Sequence, residues 1–271
     1  MYDFSFGSIE KIKEDPEKFL IFVKRLLPRW ANGIPDSECL AIFRVLNEFR
    51  GQNPVLIETG SGASSIAMFL HCALYGGEMY SWDTNGSKGS YLRSVVSESI
   101  GRVLGVDVHK IWKFIAFNST DKNVGISVLS EMGKQANFGY FDSWHTLDHL
   151  LDEISAFETV ASKDFIIALD DAYFKKRHTN YQYVNMLRNK LALGPVTEPV
   201  DNICRPYYLE INDYLSERYR DVTFIEDTYK KEFKDDVFFE YYSGDRDYMN
   251  LLGLEEEENL NHRFDAIKVR S

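Results

Sequence analysis

The chain has 271 residues, 44% of them hydrophobic and 14% aromatic, which is enough apolar material for one large α/β domain or a domain with an appendage. Its net charge of −11, from 31 basic and 42 acidic residues, works against binding to bulk nucleic acid or to an anionic membrane. Cys39, Cys72 and Cys204 form no CxxC pair, the N-terminus has no apolar signal-type core, and no run approaches the ~20 apolar residues of a membrane span. These features predict a cytoplasmic protein without a disulfide framework.

Residues 8–28 carry apolar side chains at helical spacing, among them Phe19, Leu20, Val23 and Leu27, and Pro28 ends the pattern. Asp36 or Ser37 is the predicted N-cap of a second helix, running to Phe49 with Ile42, Phe43 and Leu46 on its apolar face. The two helices are read as an N-terminal cap over residues 1–50, ahead of a main domain at 51–271. From residue 54 the pattern alternates. Strands are predicted at 55–57, 78–82, 113–117, 138–141 and 165–169. Helices are predicted at 64–74, 92–104, 124–132, 147–157 and 180–193. Strands separated by helices imply βαβ units, a parallel sheet and a ligand crevice at the C-terminal strand ends. Residues 172–206 form an insertion whose second half, with three prolines, is a loop. A helix at 207–219 follows, then strands at 222–225, 237–241 and 264–269, of which two pair antiparallel. The acidic run 255–258 is a solvated loop.

A short strand, Gly60-Ser61-Gly62 and then a helix make a cradle in which the backbone comes close to a ligand. Asp83, ending the next strand, falls near the ~20-residue offset of an acid that binds ribose hydroxyls. Ser65 stands where a dinucleotide fingerprint needs Gly or Ala. Glu58, two residues before the first glycine, suits a ligand with an ammonium group and no phosphate.

On these residues the sequence resembles class I S-adenosylmethionine-dependent methyltransferases, with Glu58-Thr59-Gly60-Ser61-Gly62-Ala63-Ser64-Ser65 similar to their first motif. The resemblance covers about residues 55–169. It implies an α/β Rossmann-like, doubly wound, mostly parallel seven-stranded sheet with a C-terminal antiparallel hairpin. It also implies that Glu58, Gly60, Gly62 and Ser64 hold the methionine part of the cofactor, that Asp83 holds the ribose, and that Ser119 and Thr120 lie near the adenine.

Strand four ends in Asp142-Ser143-Trp144-His145 and strand five in Asp170-Asp171. Parallel neighbours bring these ends to one edge, where three carboxylates repel unless a cation sits among them. This resembles the metal-dependent small-molecule and sugar O-methyltransferases. By that resemblance Asp142, Asp170 and Asp171 are the metal ligands, Mg²⁺ is the expected ion, His145 is the general base, and Asp142 also borders the cofactor. The plain alternative is that Asp142 and Asp170 only cap helices. His149 is assigned a surface or packing role, and the basic segment 173–178 is read as an exposed helix start or a lid. Trp144 followed by His145 mixes the patterns of two subgroups, which leaves the acceptor open. The expected partner is a small-molecule or sugar hydroxyl, with no nucleic acid and no membrane. A homodimer, a metal-independent N- or O-methyltransferase and a non-catalytic cofactor-binding protein stay open as alternatives.

Overall fold

The computed structural model describes residues 8–173, 175–225 and 264–270. The N-terminal segment folds as α1 (Ile9–Glu14), α2 (Pro16–Lys24) and α3 (Asp36–Val45), the last closing in a 3₁₀ turn, Leu46–Phe49. The helix expected over 8–28 is thus two helices. Pro16 has no N–H to donate and cannot continue α1, while the Asp15 side chain accepts from Lys18 N at 3.0 Å and caps α2. Asp36 is not an N-cap. It enters the first turn of α3 and binds Lys24 Nζ at 2.8 Å and Arg25 at 2.6 Å.

The main domain follows as β1 (Val55–Thr59), α4 (Ala63–Tyr75), β2 (Glu78–Trp82) and α5 (Gly86–Val96). Asn85 caps α5 by accepting from Lys88 N at 3.1 Å, so this helix starts earlier than predicted. A π turn, Ser97–Gly101, leads into α6 (Arg102–Leu104), then α7 (Val108–Ile111) and β3 (Trp112–Ile115). The helix expected over 124–132 shrinks to α8 (Val128–Glu131), because Asp121, Ser119 and Gly125 fold the preceding residues into turns. Next come β4 (Ala136–Phe141), α9 (Leu147–Glu158) and β5 (Ala161–Leu169). The insertion holds α10 (Tyr181–Lys190) and an antiparallel bridge between Arg177 and Ile203. The chain closes with α11 (Tyr207–Ser216), β6 (Asp221–Phe224) and β7 (Asp265–Arg270). The strand expected at 237–241 and the acidic run 255–258 lie outside the described residues.

The seven strands form one sheet in the order β3-β2-β1-β4-β5-β7-β6. β1 to β5 run parallel, and β7 lies antiparallel between β5 and β6. Successive side chains of a strand point to opposite faces. Leu56, Met79, Phe138 and Ile166 therefore face a core shared with α3 and α4. Ile57, Tyr80, Phe141 and Ile167 face a second core built with α9 and α11. The N-terminal helices supply Leu20, Val23, Ile42 and Phe43 to the first core, so they are packed into the sheet's own interior. No helix among the described residues is long and apolar enough to cross a membrane.

Lys24 is 3% exposed and Asp36 is 7% exposed, so their ion pair is buried between α2 and α3. Removing one partner strands the other charge in low dielectric. Asp36→Ala is expected to lose about 3–5 kcal/mol in chemical denaturation, and Lys24→Met with Asp36→Leu to recover most of it. Equal losses in the single and double variants would show that the pair itself is not the source.

Candidate functional site

The parallel register fixes which residues leave the sheet side by side. Thr59 is level with Trp82 and Phe141, Trp82 with Ile115, and Phe141 with Leu169. Gly60, Asp83, Asp142 and Asp170 are each one step beyond these partners. The ladder continues through that step. Gly60 N donates to Trp82 O at 2.8 Å, Asp83 N to Ile115 O at 3.2 Å, Asp142 N to Thr59 O at 2.9 Å and Asp170 N to Phe141 O at 3.2 Å. Three carboxylates and a glycine turn thus stand in one row on the C-terminal edge. β1 connects outward toward β2 and β4 toward β5, so the row straddles the topological switch point.

A cleft of about 630 Å³ opens there, within the size range of small-ligand sites. Gly33 and Ile34 of the N-terminal segment form part of its wall. Gly60 has φ +73, and a Cβ on it would lie 1.8 Å from the Asp142 carbonyl oxygen. Only glycine lets the β1 turn and the β4 end approach this closely. Gly62 carries no such demand: its nearest neighbour for a Cβ is the Ala31 carbonyl at 3.5 Å.

Of the residues singled out in the sequence, Gly60, Asp83, Ser119, Asp142, His145, Asp170 and Asp171 line the cleft. Asp83 Oδ2 accepts from Ser61 N at 3.0 Å and from Ser61 Oγ at 2.8 Å, with Lys88 Nζ at 3.6 Å. Glu58, Gly62, Ser64 and Thr120 do not line the cleft. Glu58 is fully buried beneath the turn. Its carboxylate accepts from Ser64 at 2.5 Å, Ser65 at 2.6 Å and Ser81 at 2.7 Å, while Trp112 Nε1 donates to Ser81 Oγ at 2.8 Å. Burial pushes its pKa up to about 7, against the pull of the three serine hydroxyls. Glu58 thus braces β1 to α4 and β2.

The acidic end is arranged differently from the expected three-carboxylate set. Asp142, His145 and Asp170 each present a ligand atom, all within 4.8 Å of one another. Asp170 is 9% exposed, and its Oδ1 has no hydrogen-bond partner. Burial, then the charge of Asp170, holds the Asp142 carboxyl well above the usual range, with Asp171 and Glu38 adding to it. Asp171 stands apart from this set. It adopts φ +52, pairs with Lys176 and lies 3.2 Å from His145 Nδ1. The basic segment after β5 thus anchors Asp171.

Several contributors had little signal in the sequence. Glu153 of α9 is 1% exposed, and it gathers Thr59 Oγ1 at 3.1 Å, Ser143 Oγ at 2.7 Å, Ser119 Oγ and His149 Nε2 at 3.3 Å. One buried carboxylate thereby ties together the ends of β1, β3 and β4. Its i,i+4 spacing from His149 was the available clue. His149 lines the cleft and is not a surface residue. Burial lowers its pKa, but the Glu153 hydrogen bond and charge outweigh burial, and the net shift is upward. Tyr140 donates to Glu38 Oε1 at 2.8 Å and so connects α3 to the strand that carries Asp142. Tyr207 donates to the His145 carbonyl at 2.9 Å and steadies that loop. Trp144 and Phe117 stand at the cleft as exposed aromatic rings.

No protein-family model matches the chain, and no curated protein matches it. Among solved structures, the chain is similar to an SAH-bound methyltransferase from Podospora anserina, at 13% identity over 100% of this chain and 97% of that one, with a TM-score of 0.49. A SAM-dependent methyltransferase from Thiobacillus denitrificans in complex with S-adenosyl-L-homocysteine matches at 11% identity, 93% and 98% coverage and a TM-score of 0.44. A TDP-rhamnose 3′-O-methyltransferase of calicheamicin biosynthesis matches at 15% identity, 74% and 93% coverage and a TM-score of 0.43.

The Glu58 brace has a measurable signature. The folded protein keeps the Glu58 proton up to about pH 7, whereas the unfolded chain releases it near 4.5. The folded state binds the extra proton between those values, so stability falls as pH rises from about 4.5 to about 7 and then levels off. The fall attributable to Glu58 is on the order of 3 kcal/mol. Glu58→Gln is expected to flatten that part of the stability–pH curve, measured by urea denaturation at a series of pH values. Parallel curves for the two proteins would remove Glu58 as the source.

With strand order and hairpin settled by the coordinates, the chain has a Rossmann-like fold, a mostly parallel sheet that ends in an antiparallel hairpin.

Proposed function

We propose that the chain is an S-adenosylmethionine-dependent methyltransferase acting on a hydroxyl of a small molecule or sugar, with a divalent cation at Asp142 and Asp170. The observation that carries this reading is the sign of the cleft. Asp83, Asp142, Asp170 and Asp171 all line it, against Lys88 and two histidines. Such a wall repels the pyrophosphate of a dinucleotide and attracts a ligand with a sulfonium and an ammonium group. The Gly60 turn allows close backbone approach, and an acid following β2, Asp83, in the cleft supports a role toward ribose hydroxyls. Ser119, held by Glu153, fixes the loop after β3 that closes this end.

When bound, S-adenosylmethionine supplies an electrophilic methyl group. A divalent cation, when bound, offsets the repulsion among the carboxylates and makes an acceptor hydroxyl more acidic. The unpartnered Asp170 Oδ1 and the strongly raised Asp142 pKa both fit a cation in that place. The hydroxyl proton goes to an imidazole of the cleft. His145 is the one the sequence motif puts forward. His149 is the structure's addition: Glu153 accepts from its Nε2 and leaves Nδ1 to take the proton. The remaining work is positioning, which the braced loops provide.

The test is transfer of labelled methyl from S-adenosylmethionine to a panel of sugars, nucleotide sugars and catechols, with Mg²⁺ or Mn²⁺ and then with EDTA. The expected result is transfer to a hydroxyl that EDTA abolishes and that Asp142→Asn lacks. Chelator-insensitive transfer would replace this reading with a metal-independent methyltransferase. Cofactor binding with no transfer to any acceptor would make the chain a binding protein.

A further inference from the structure

His145 has its two ring nitrogens in different surroundings. Nδ1 lies 3.2 Å from Asp171 Oδ2, whereas Nε2 faces Asp142 Oδ1 at 3.9 Å. An imidazole that donates from Nδ1 to a carboxylate keeps its lone pair on Nε2, and Asp171 is the carboxylate on the Nδ1 side. A ring nitrogen of His145 lies within 4.8 Å of ligand oxygens of Asp142 and Asp170, and Nε2 is the nitrogen that faces Asp142. A carboxylate that fixes the far nitrogen of an imidazole is the arrangement that orients metal-binding histidines. Asp171 is itself held in place by Lys176 and is only 4% exposed, so its orientation is set before any ion arrives. A second, independent observation points to a ligand at the same spot: the buried Asp170 Oδ1 has no hydrogen-bond partner.

We propose that Asp142, Asp170 and His145 form a mixed carboxylate–imidazole site for a divalent transition metal such as Fe²⁺, Co²⁺ or Zn²⁺, with Asp171 as the residue that orients the imidazole. This rests on reading Asp142 and Asp170 as cation ligands, but not on methyl transfer itself. Mg²⁺ favours all-oxygen octahedral surroundings and gives up its waters reluctantly, whereas an imidazole nitrogen favours the later first-row metals. An oxygen-only set of Asp142, Asp170 and Asp171 would suit Mg²⁺, whereas the ligand atoms gathered closely here are those of Asp142, Asp170 and His145, with Asp171 beside Lys176 and the imidazole. With His145 as a ligand, the acceptor proton falls to His149, whose Glu153 partner already holds it at the cleft.

Co²⁺ is the probe. Calorimetric titration of the metal-free full chain is expected to give Co²⁺ binding at least about tenfold tighter than Mg²⁺ binding. The Co²⁺-loaded wild type is expected to show a strongly shifted, exchangeable imidazole N–H signal in its proton NMR spectrum, a readout that needs no variant. His145→Gln should lose both the preference and the signal. Asp171→Asn should weaken Co²⁺ about 10- to 100-fold while leaving Mg²⁺ little changed. Equal Co²⁺ and Mg²⁺ affinities, no imidazole signal, or an unchanged Co²⁺ affinity in folded His145→Gln would each overturn the proposal. S-adenosylhomocysteine is titrated into the same samples. Its failure to bind beside an intact Co²⁺ site would overturn the methyltransferase reading alone.

Discussion

The Asp142 amide donates to the Thr59 carbonyl at 2.9 Å, and Gly60 turns over that junction with φ +73 and no room for a Cβ. The cleft depends on this contact between the ends of β1 and β4. It places the turn after β1 against the first carboxylate after β4, at the point where the sheet's connections diverge. From there the register carries the row outward, to Asp83 on one side and Asp170 on the other. A side chain at position 60 would have to push the two strand ends apart, and the row would lose its alignment. The glycine is thus a requirement of the sheet before it is a feature of any ligand site.

The surroundings of that contact are braced by buried carboxylates. Glu58 gathers three serine hydroxyls below the turn, and Glu153 gathers donors from the ends of three strands. Glu38, from the N-terminal helices, accepts from Tyr140 and so reaches the strand that carries Asp142. Buried polar groups are costly unless satisfied, and a satisfied network makes a stiff frame. The carboxylates of the cleft itself are the contrast. Asp142 and Asp170 repel each other, and Asp170 leaves an oxygen without a partner. Glu58 and Glu153 are well supplied with donors while the carboxylates of the cleft are not, which is the division of roles expected of a scaffold that holds a charged ligand.

The sheet was legible in the sequence because short apolar runs alternated with helical periodicity, and each of the five parallel strands lies where that alternation put it. Gly60, Asp83, Asp142 and Asp170 were legible for a related reason: residues that end parallel strands share an edge. Side-chain direction was not legible. Glu58 lies within β1 and turns into the interior, where Ser64, Ser65 and Ser81 meet it, while Asp83 follows β2 and lines the cleft. Asp171 looked like a third ligand by adjacency to Asp170. Its left-handed backbone and its pairing with Lys176 set its place beside His145, and neither is visible in a dipeptide. The break at Asp15 and Pro16 was written in the sequence, since proline cannot continue a helix, but helical periodicity on both sides concealed it.

The proposed function requires that the cleft at the switch point hold S-adenosylmethionine with Asp83 at the ribose. The most direct measurement is calorimetric titration of S-adenosylhomocysteine into the full chain, the wild type beside Asp83→Ala. The account predicts saturable one-site binding by the wild type and its loss in a folded Asp83→Ala protein. No binding by folded wild type, or equal binding by both proteins, would contradict it and leave Gly60 as a turn that serves the sheet alone.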